Sequence, residues 1–212
     1  WKGQEVNLSA QIGQQRQTIK TFIPLLGDAG IYAASAALAV AWAVLGDSID
    51  LQRAANGLKA LRVESGRLRP RELQNGAIVI DDAYNANPAS MRDSIQVAAY
   101  LAKDSGRKLT LVLGEMRELG TQSEGEHRRV GEQIAGLRPD LLVATAGDAY
   151  HFANVASKAG VHCEFAKDAA QATDRVLSGV GDNDVILVKG SRGVALEQVV
   201  AALDVWGAGQ GQ

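Results

Sequence analysis

Five short apolar runs, separated by segments with helical periodicity, constrain the fold of this chain more than any other feature. The runs span residues 77–80, 109–113, 141–144, 161–165 and 185–188. Most positions in each run are apolar, which is typical of strands buried on both faces, and the helical segments between them suit crossover connections. The sequence therefore predicts an α/β fold whose doubly wound, mostly parallel sheet forms a domain over residues 69–212.

The first 68 residues follow a different pattern. Residues 5–24 alternate apolar and polar side chains as a hairpin would, and helical segments follow at 31–45 and 48–60. Residues 63–73 contain Gly66, Pro70 and three arginines without a periodic apolar face, so we interpret them as a linker at a domain boundary. The alanine-rich stretch at 31–45 is too short and too weakly apolar to predict a membrane span.

Charge and cysteine content exclude several classes of protein. The chain has 22 basic and 24 acidic residues, a net charge of −2, so it lacks the basic excess of a nucleic-acid-binding protein. Its one cysteine, Cys163, excludes an internal disulfide and fits a cytoplasmic protein. His151 and His162 lack metal-ligand spacing to each other or to Cys163, so we predict no metal site. Neither a GxxxxGKS/T phosphate loop nor a GxGxxG motif occurs in the sequence.

Three of the predicted strands end in polar or glycine-rich loops, at residues 81–88, 114–120 and 189–193. The carboxyl ends of parallel strands lie at the same edge of a sheet, and ligands of doubly wound proteins bind outside that edge. We therefore expect the three loops to converge on one ligand site.

The loop after the last strand is a candidate anion site. It reads Lys189-Gly190-Ser191-Arg192, and a helix is predicted to begin at residue 193. Unpaired amides at a helix start, together with two cations and a hydroxyl group, can hold a carboxylate or a phosphate. The alternative is that Ser191 only caps the helix and that the two cations are solvated.

The loop after the first buried strand carries two adjacent carboxylates, Asp81 and Asp82, and two asparagines, Asn85 and Asn87. In one interpretation a carboxylate binds a ribose diol or a polar substrate. In the other, Asn87 caps the helix that begins at Pro88, and the aspartates are solvated. Because adjacent ionised carboxylates repel each other, we expect at least one of them to have a cationic or donor partner.

The loop at 114–120 carries Glu115 and Glu118. These carboxylates suit an ammonium group or a cation, or they are exposed loop charges. His127 follows on a helix with charged neighbours, and we interpret it as a surface residue.

Four segments, in this order and at these separations, resemble the Mur ligase family. They read IDDAYNANPASM, LVLGEMRELG, HRRVG and LVKGSRG, and they cover nearly all of the second domain. Upstream, PLLG and SGRL resemble the end of the family's central ATPase domain, so the resemblance assigns residues 1–68 to that domain and residues 69–212 to a Rossmann-like C-terminal ligase domain. It implies an ATP- and Mg²⁺-dependent amide ligase of peptidoglycan precursor synthesis, expected to be a cytoplasmic bacterial monomer.

Within the family, the pattern is similar to that of the ligases that join D-alanyl-D-alanine to UDP-N-acetylmuramoyl-tripeptide through an acyl phosphate. The resemblance implies nucleotide binding by Arg67, Asp82 and Asn85, with Asp81 as the alternative acid. It implies substrate binding by a second set of residues, namely Asn87, Glu115, Lys189, Ser191 and Arg192. No catalytic residue and no metal ligand is assigned to this chain.

The chain departs from the family pattern in one segment. The family has a His-Asn pair and a further Asn, which help to hold the nucleotide base, where this chain has Ala29, Gly30 and Ala33. The phosphate loop, the magnesium ligands and the modified lysine of the family are expected upstream of residue 1, so the chain alone is expected to be inactive. Two alternatives stay open: another amino-acid ligase of the same superfamily, and a non-catalytic domain that binds an anionic metabolite.

Overall fold

The computed structural model describes residues 3–12 and 15–209, and the chain divides into two compact units between Val63 and Glu64. The division lies upstream of the boundary expected after residue 68. The reason is that the backbone N–H of Leu68 donates to Asp82 at 2.9 Å, which ties this segment to the second unit. The assignment of the first unit to a central ATPase domain stays a prediction.

The first unit is a hairpin followed by one long helix and one short helix. Strands β1 (Gln4–Ile12) and β2 (Gln15–Ile23) pair antiparallel, and helices α1 (Gly27–Leu45) and α2 (Leu51–Gly57) follow. Helix α2 begins later than the predicted residue 48, because Asp50 caps it by accepting the backbone N–H of Arg53 at 2.9 Å. The small core is formed by apolar side chains from both strands and both helices, namely Val6, Ile19, Ile23, Ala34, Leu38, Leu51, Ala55 and Leu58.

Helix α1 is long and apolar enough to cross a membrane, with a mean hydropathy of 1.6, and it is the one such helix among the residues that the structure describes. Helices from the cores of soluble proteins satisfy the same criterion, so length and composition alone do not predict a span. Only 11% of this helical window is buried, and Tyr32, Val40 and Val44 are exposed. The expectation that the chain has no membrane span therefore stays a prediction.

The second unit is built around a six-stranded sheet. Its strands are β3 (Arg69–Glu72), β4 (Ile78–Asp82), β5 (Leu109–Gly114), β6 (Leu141–Thr145), β7 (Cys163–Ala166) and β8 (Val185–Lys189). Their order across the sheet is β3-β4-β8-β5-β6-β7, and all pairs are parallel except β3 with β4. The predicted α/β fold with a mostly parallel sheet is confirmed.

Strand β3 corrects the interpretation of residues 63–73 as a linker. Its sequence, RPRE, is polar and contains Pro70, so it lacks the apolar pattern from which a strand is predicted. A strand at the edge of a sheet tolerates a proline, because one side of its backbone makes no ladder hydrogen bonds.

Five helices cover the two faces of the sheet. They are α3 (Pro88–Ser105), α4 (Ser123–Leu137), α5 (Ala149–Lys158), α6 (Ala169–Gly179) and α7 (Glu197–Gly207). Helices α6 and α7 pack against one set of alternating strand residues, which includes Val79, Val112, Val143 and Ile186. The intervening residues Ile80, Leu111 and Leu142 are also fully buried, and α3 and α5 contact strands β8 and β6. Both faces are therefore covered, as a doubly wound sheet requires.

The topology brings the loops after β4, β5 and β8 together at the carboxyl edge. Because β8 lies between β4 and β5, its loop lies between the other two. Four non-glycine residues in loops of this edge have left-handed backbone conformations: Leu68 (φ 50°), Glu118 (φ 66°), Ala146 (φ 67°) and Ala195 (φ 61°). Such conformations cost about 1–3 kcal/mol each and persist where the surroundings hold a functional loop in place.

Candidate ligand site at the carboxyl edge of the sheet

A buried ion pair between Asp82 and Lys189 lies at the centre of this edge. The Lys189 Nζ atom is 2.6 Å from Asp82 Oδ2, and it also donates to the carbonyl oxygen of Asn85 at 2.9 Å. The Asp82 carboxylate accepts two further hydrogen bonds, from Ser94 Oγ at 2.6 Å and from the Leu68 N–H at 2.9 Å. Lys189 is only 2% exposed, so it is not the free cation that the sequence suggested. It joins the loop after β4 to the end of β8 instead.

The environment of this pair acts on the carboxylate in two opposite ways. Burial raises the pKa of Asp82 above its ordinary value and is the larger effect, whereas the Lys189 ammonium and the hydrogen bonds from Ser94 and Leu68 lower that pKa. The carboxylate therefore depends on its partners to stay ionised. A nucleotide ribose cannot reach it without displacing one of these donors.

Asp81, rather than Asp82, faces a cavity. The cavity has a volume of about 210 Å³ and is lined by Ser65, Gly66, Asp81, Ala83, Tyr84, Arg192 and Glu197. Asp81 Oδ2 accepts hydrogen bonds from Ser65 Oγ at 3.0 Å and from the Gly66 N–H at 2.9 Å. The geometry thus favours the alternative acid, Asp81, as a ligand-facing carboxylate.

Two arginines from distant parts of the sequence meet on one tyrosine ring. The guanidinium carbons of Arg67 and Arg192 lie 4.6 Å and 5.2 Å from the centre of the Tyr84 ring. Neither arginine forms an ion pair within the described part of the chain. Both guanidinium groups are therefore available to an anion. Tyr84 was not among the predicted site residues, although it lies inside the polar loop at residues 81–88.

Ser191 and Glu115 link loops to each other. The Ser191 hydroxyl accepts the backbone N–H of Arg117 at 2.9 Å, and the Ser191 N–H donates to the Glu115 carbonyl at 3.2 Å. The Glu115 carboxylate accepts the Nε–H of Arg117 at 2.7 Å and the backbone N–H of Asp148 at 3.3 Å. Both side chains therefore hold the site together, and Ser191 does not cap a helix: α7 begins only at Glu197, after a 3-10 turn.

The two asparagines differ in role. Asn87 caps α3: its Oδ1 accepts the Ser90 N–H at 2.9 Å, and Ser90 Oγ accepts the Asn87 N–H at 3.2 Å. This is the capping alternative of the sequence analysis. Asn85 is exposed, and its Oδ1 accepts the Ala86 N–H at 2.8 Å.

His127 is buried, so the prediction that it lies on the surface is wrong. It is 0% exposed and its ring stacks on Phe152 with the ring centres 5.8 Å apart. A signal for this burial exists in the sequence: His127 shares one helix face with Val130, Gly131 and Ile134, at the spacing of an apolar stripe. The prediction gave more weight to the charged neighbours of His127 on the other face of the helix than to this apolar stripe.

The three loops converge as expected. Asp82 and Lys189 join the first loop to the third, and Glu115 and Ser191 join the second to the third. Within the described residues, no three His, Cys, Asp or Glu side chains group as metal ligands, so these residues by themselves do not fit a Mg²⁺ site.

The segment that departs from the Mur pattern lies at the start of α1. Ala29 and Ala33 are exposed there, and Gly30 is buried. A Cβ atom at Gly30 would lie 2.7 Å from the Leu25 Cβ, so an asparagine at this position would require Leu25 to move.

Comparison with protein families gives a match over most of the second unit. The family described as "Mur ligase, glutamate ligase domain" matches residues 66–192. The chain is 38% identical over 203 residues to the UDP-N-acetylmuramoyl-tripeptide–D-alanyl-D-alanine ligase of Escherichia coli K12, covering 95% of this chain and 42% of that protein. It is 39% identical over 191 residues to the ligase of the same name from Bacillus subtilis 168, covering 86% of this chain and 39% of that protein. The chain thus spans about two fifths of the length of these relatives.

Solved structures show the same fold. MurF from Acinetobacter baumannii matches with a TM-score of 0.74 and 26% identity, over 95% of this chain and 43% of that one. MurF from Thermotoga maritima, in complex with ADP, matches with a TM-score of 0.67 and 22% identity, over 97% of this chain and 44% of that one.

Proposed function

The chain belongs to the Mur ligase family, and we propose that it is the C-terminal part of an ATP-dependent ligase that joins D-alanyl-D-alanine to UDP-N-acetylmuramoyl-tripeptide. The observation that carries this proposal is the 38% identity, over 95% of the chain, to a ligase of this name. The reaction belongs to peptidoglycan precursor synthesis, and we expect the intact protein to be a cytoplasmic bacterial monomer.

The proposed reaction forms an amide in two steps. The carboxylate of the UDP-linked tripeptide accepts the γ-phosphoryl group of ATP, which gives an acyl phosphate and ADP. The amine nitrogen of D-alanyl-D-alanine then attacks the acyl carbon, phosphate leaves, and the nitrogen loses its proton. The main contribution of the protein to such a reaction is to hold the reactants in line and to neutralise the charge on the transferred group.

The cavity at the carboxyl edge suits a small zwitterion. Its lining includes a cation, Arg192, and a carboxylate, Glu197. We propose that Arg192 binds the terminal carboxylate of the dipeptide and that Glu197 attracts its ammonium group before deprotonation. Lys189, Ser191 and the backbone around them act by keeping this arrangement rigid.

We propose a separate role for the other arginine. Arg67 shares the Tyr84 ring with Arg192 but lies on the segment that enters the second unit, and its guanidinium group is available to the phosphates of the nucleotide. Asp81 is the better candidate for a ribose contact, because it lines the cavity, whereas Asp82 does not and is paired with Lys189.

Kinetics of the intact ligase test these assignments. Replacing Arg192→Ala removes a charge-assisted pair worth about 1.5–3 kcal/mol, so the KM for D-alanyl-D-alanine should rise about 10- to 150-fold while the KM for ATP changes little. Arg128→Ala is a matched control, because Arg128 is an exposed arginine on α4 that pairs only with Glu124 one turn away. An effect of Arg192→Ala that is confined to ATP would contradict the assignment.

A second candidate is a non-catalytic domain that binds an anionic metabolite. The side chains at Ala29, Gly30 and Ala33 favour it, because they offer neither an amide nor an imidazole group to a nucleotide base. Dipeptide-dependent release of phosphate from ATP by the intact protein would exclude this candidate. A panel of amino acids and dipeptides in the same assay separates the proposed ligase from its relatives that add a different amino acid.

A further inference from the structure

Three polar atoms lie within hydrogen-bonding distance of the His127 ring in the core of the second unit. Its Nε2 atom is 2.9 Å from the backbone nitrogen of Met116, and its Nδ1 atom is 2.8 Å from the carbonyl oxygen of Ser123 and 3.4 Å from the Ser123 hydroxyl oxygen. The backbone N–H of Met116 can only donate, so Nε2 must be the acceptor and must lack a proton. The proton of the neutral ring therefore lies on Nδ1, which donates to Ser123.

The segment that His127 holds is part of the ligand site. Met116 is 2% exposed and lies between Glu115 and Arg117, whose backbone groups both hydrogen-bond to Ser191. The hydrogen bond from Met116 to His127 thus fixes the same backbone on its other side. Ser191 in turn precedes Arg192, the proposed dipeptide ligand. A chain of direct contacts therefore runs from the imidazole to the cavity.

We propose that His127, in its neutral form with the proton on Nδ1, is a positioning residue for the loop at 115–118 and, through Ser191, for Arg192. Protonation places a second N–H group opposite the N–H of Met116, and two donors cannot bond to each other. The loop then loses the hydrogen bond from the Met116 N–H to His127. The role of His127 in positioning the loop does not depend on the proposed function, whereas its consequence for dipeptide binding does.

The surroundings of His127 keep the ring neutral. Burial against Phe152 lowers the pKa of His127, and the positive charge of His151 when protonated acts in the same direction. The carbonyl of Ser123 and the carboxylates of Asp148 and Glu115 act against this, but burial is the larger effect. The folded state therefore stays neutral at a pH at which the unfolded chain already binds a proton. This histidine favours folding fully above about pH 6.5, and its contribution declines as the pH falls from there toward the lowered pKa.

Nuclear magnetic resonance of the 212-residue chain tests the role directly. Above about pH 7, the ¹⁵N shifts of the His127 ring should identify Nε2 as the unprotonated nitrogen. As the pH is lowered, the Met116 amide should shift with the same midpoint as the His127 ring, and the amides of Arg117 and Ser191 should follow. In His127→Gln the side-chain carbonyl can accept the Met116 N–H but cannot titrate, so the Met116 amide should no longer respond to pH.

His151→Gln is the matched control, because the charge of His151 acts on His127 but His151 is not part of the contact chain. It should leave the Met116 titration in place. The proposal is overturned by a protonated Nε2 in the neutral ring, by a Met116 amide that does not respond while His127 titrates, or by a response that disappears in His151→Gln. The first two outcomes are read from the unmodified chain, so they decide the matter even if His127→Gln fails to fold.

A kinetic measurement on the intact ligase tests the consequence for binding. The KM for D-alanyl-D-alanine should rise roughly tenfold as the pH falls through the midpoint of His127, and this rise should be absent in His127→Gln. If the Met116 amide titrates as expected but the KM does not follow, the positioning of the loop holds and the assignment of the dipeptide site to Arg192 fails.

Discussion

Replacing Lys189→Met should destabilise the second unit by about 3–5 kcal/mol, the usual cost of removing one partner of a buried ion pair. The substitution leaves Asp82 in a site where its nearest cation, at 2.6 Å, has gone and where the residue is only 8% exposed. We expect the lower half of that range, because Ser94 and Leu68 still donate to the carboxylate and because Asp82 can take up a proton. The loss should therefore be smaller at low pH than at neutral pH.

Amide hydrogen exchange in β4 and β8 is the suitable measurement, because it reports the free energy of opening of the second unit by itself. Lys167→Met, which replaces an exposed lysine, should stay within about 0.5 kcal/mol of the parent chain. The double variant Asp82→Asn/Lys189→Met should cost about 1–3 kcal/mol less than the sum of the two single variants. A cost below about 1 kcal/mol for Lys189→Met, or strict additivity, would refute the view that this pair holds two loops together.

Three further predictions concern residues around the site. Asn87→Ala removes the cap of α3 and should cost about 1 kcal/mol in urea unfolding, whereas Ala89→Ser should have little effect; equal effects would contradict the capping role. Gly131→Ala should cost about 1–3 kcal/mol, because the new Cβ would lie 2.7 Å from Val155, whereas Gly136→Ala on the same helix meets open space and should stabilise the chain by up to about 1 kcal/mol; a higher Tm for both would refute this. Because burial raises the pKa of Asp82, the folded state keeps a proton that the unfolded chain releases, so this residue's contribution to the free energy of unfolding should decline as the pH rises from about 4, and Asp82→Asn should abolish that decline.

The sheet could be predicted from the sequence because its strands are buried on both faces. A run such as Leu109–Gly114 is apolar at all but one position and buried along its whole length, and no exposed element needs such a pattern. The order of the strands could not be predicted in the same way. Nothing in the sequence near Val185–Lys189 indicates that this strand lies between β4 and β5, because that depends on pairing between segments that are far apart in the chain.

The location of the candidate site could be predicted from the sequence, but the separate roles of its residues could not. The loops could be placed at one edge because they follow parallel strands. Lys189 and Arg192 look alike in the sequence, and only the partner of Lys189, which lies 107 residues away, makes it a buried residue while Arg192 stays exposed. His127 shows a related limit: its apolar helix face is a local signal of burial, but nothing local indicates that the ring accepts the backbone N–H of Met116.

The central position of β8 has a consequence for biosynthesis. Strands β4 and β5 do not pair with each other, and each pairs with β8, a segment that leaves the ribosome after both of them. A nascent chain that stops before Val185 would therefore lack both the middle of its sheet and the loop that carries Arg192. Such a truncated product would expose apolar strand edges, and we expect chaperones to bind it and proteases to degrade it.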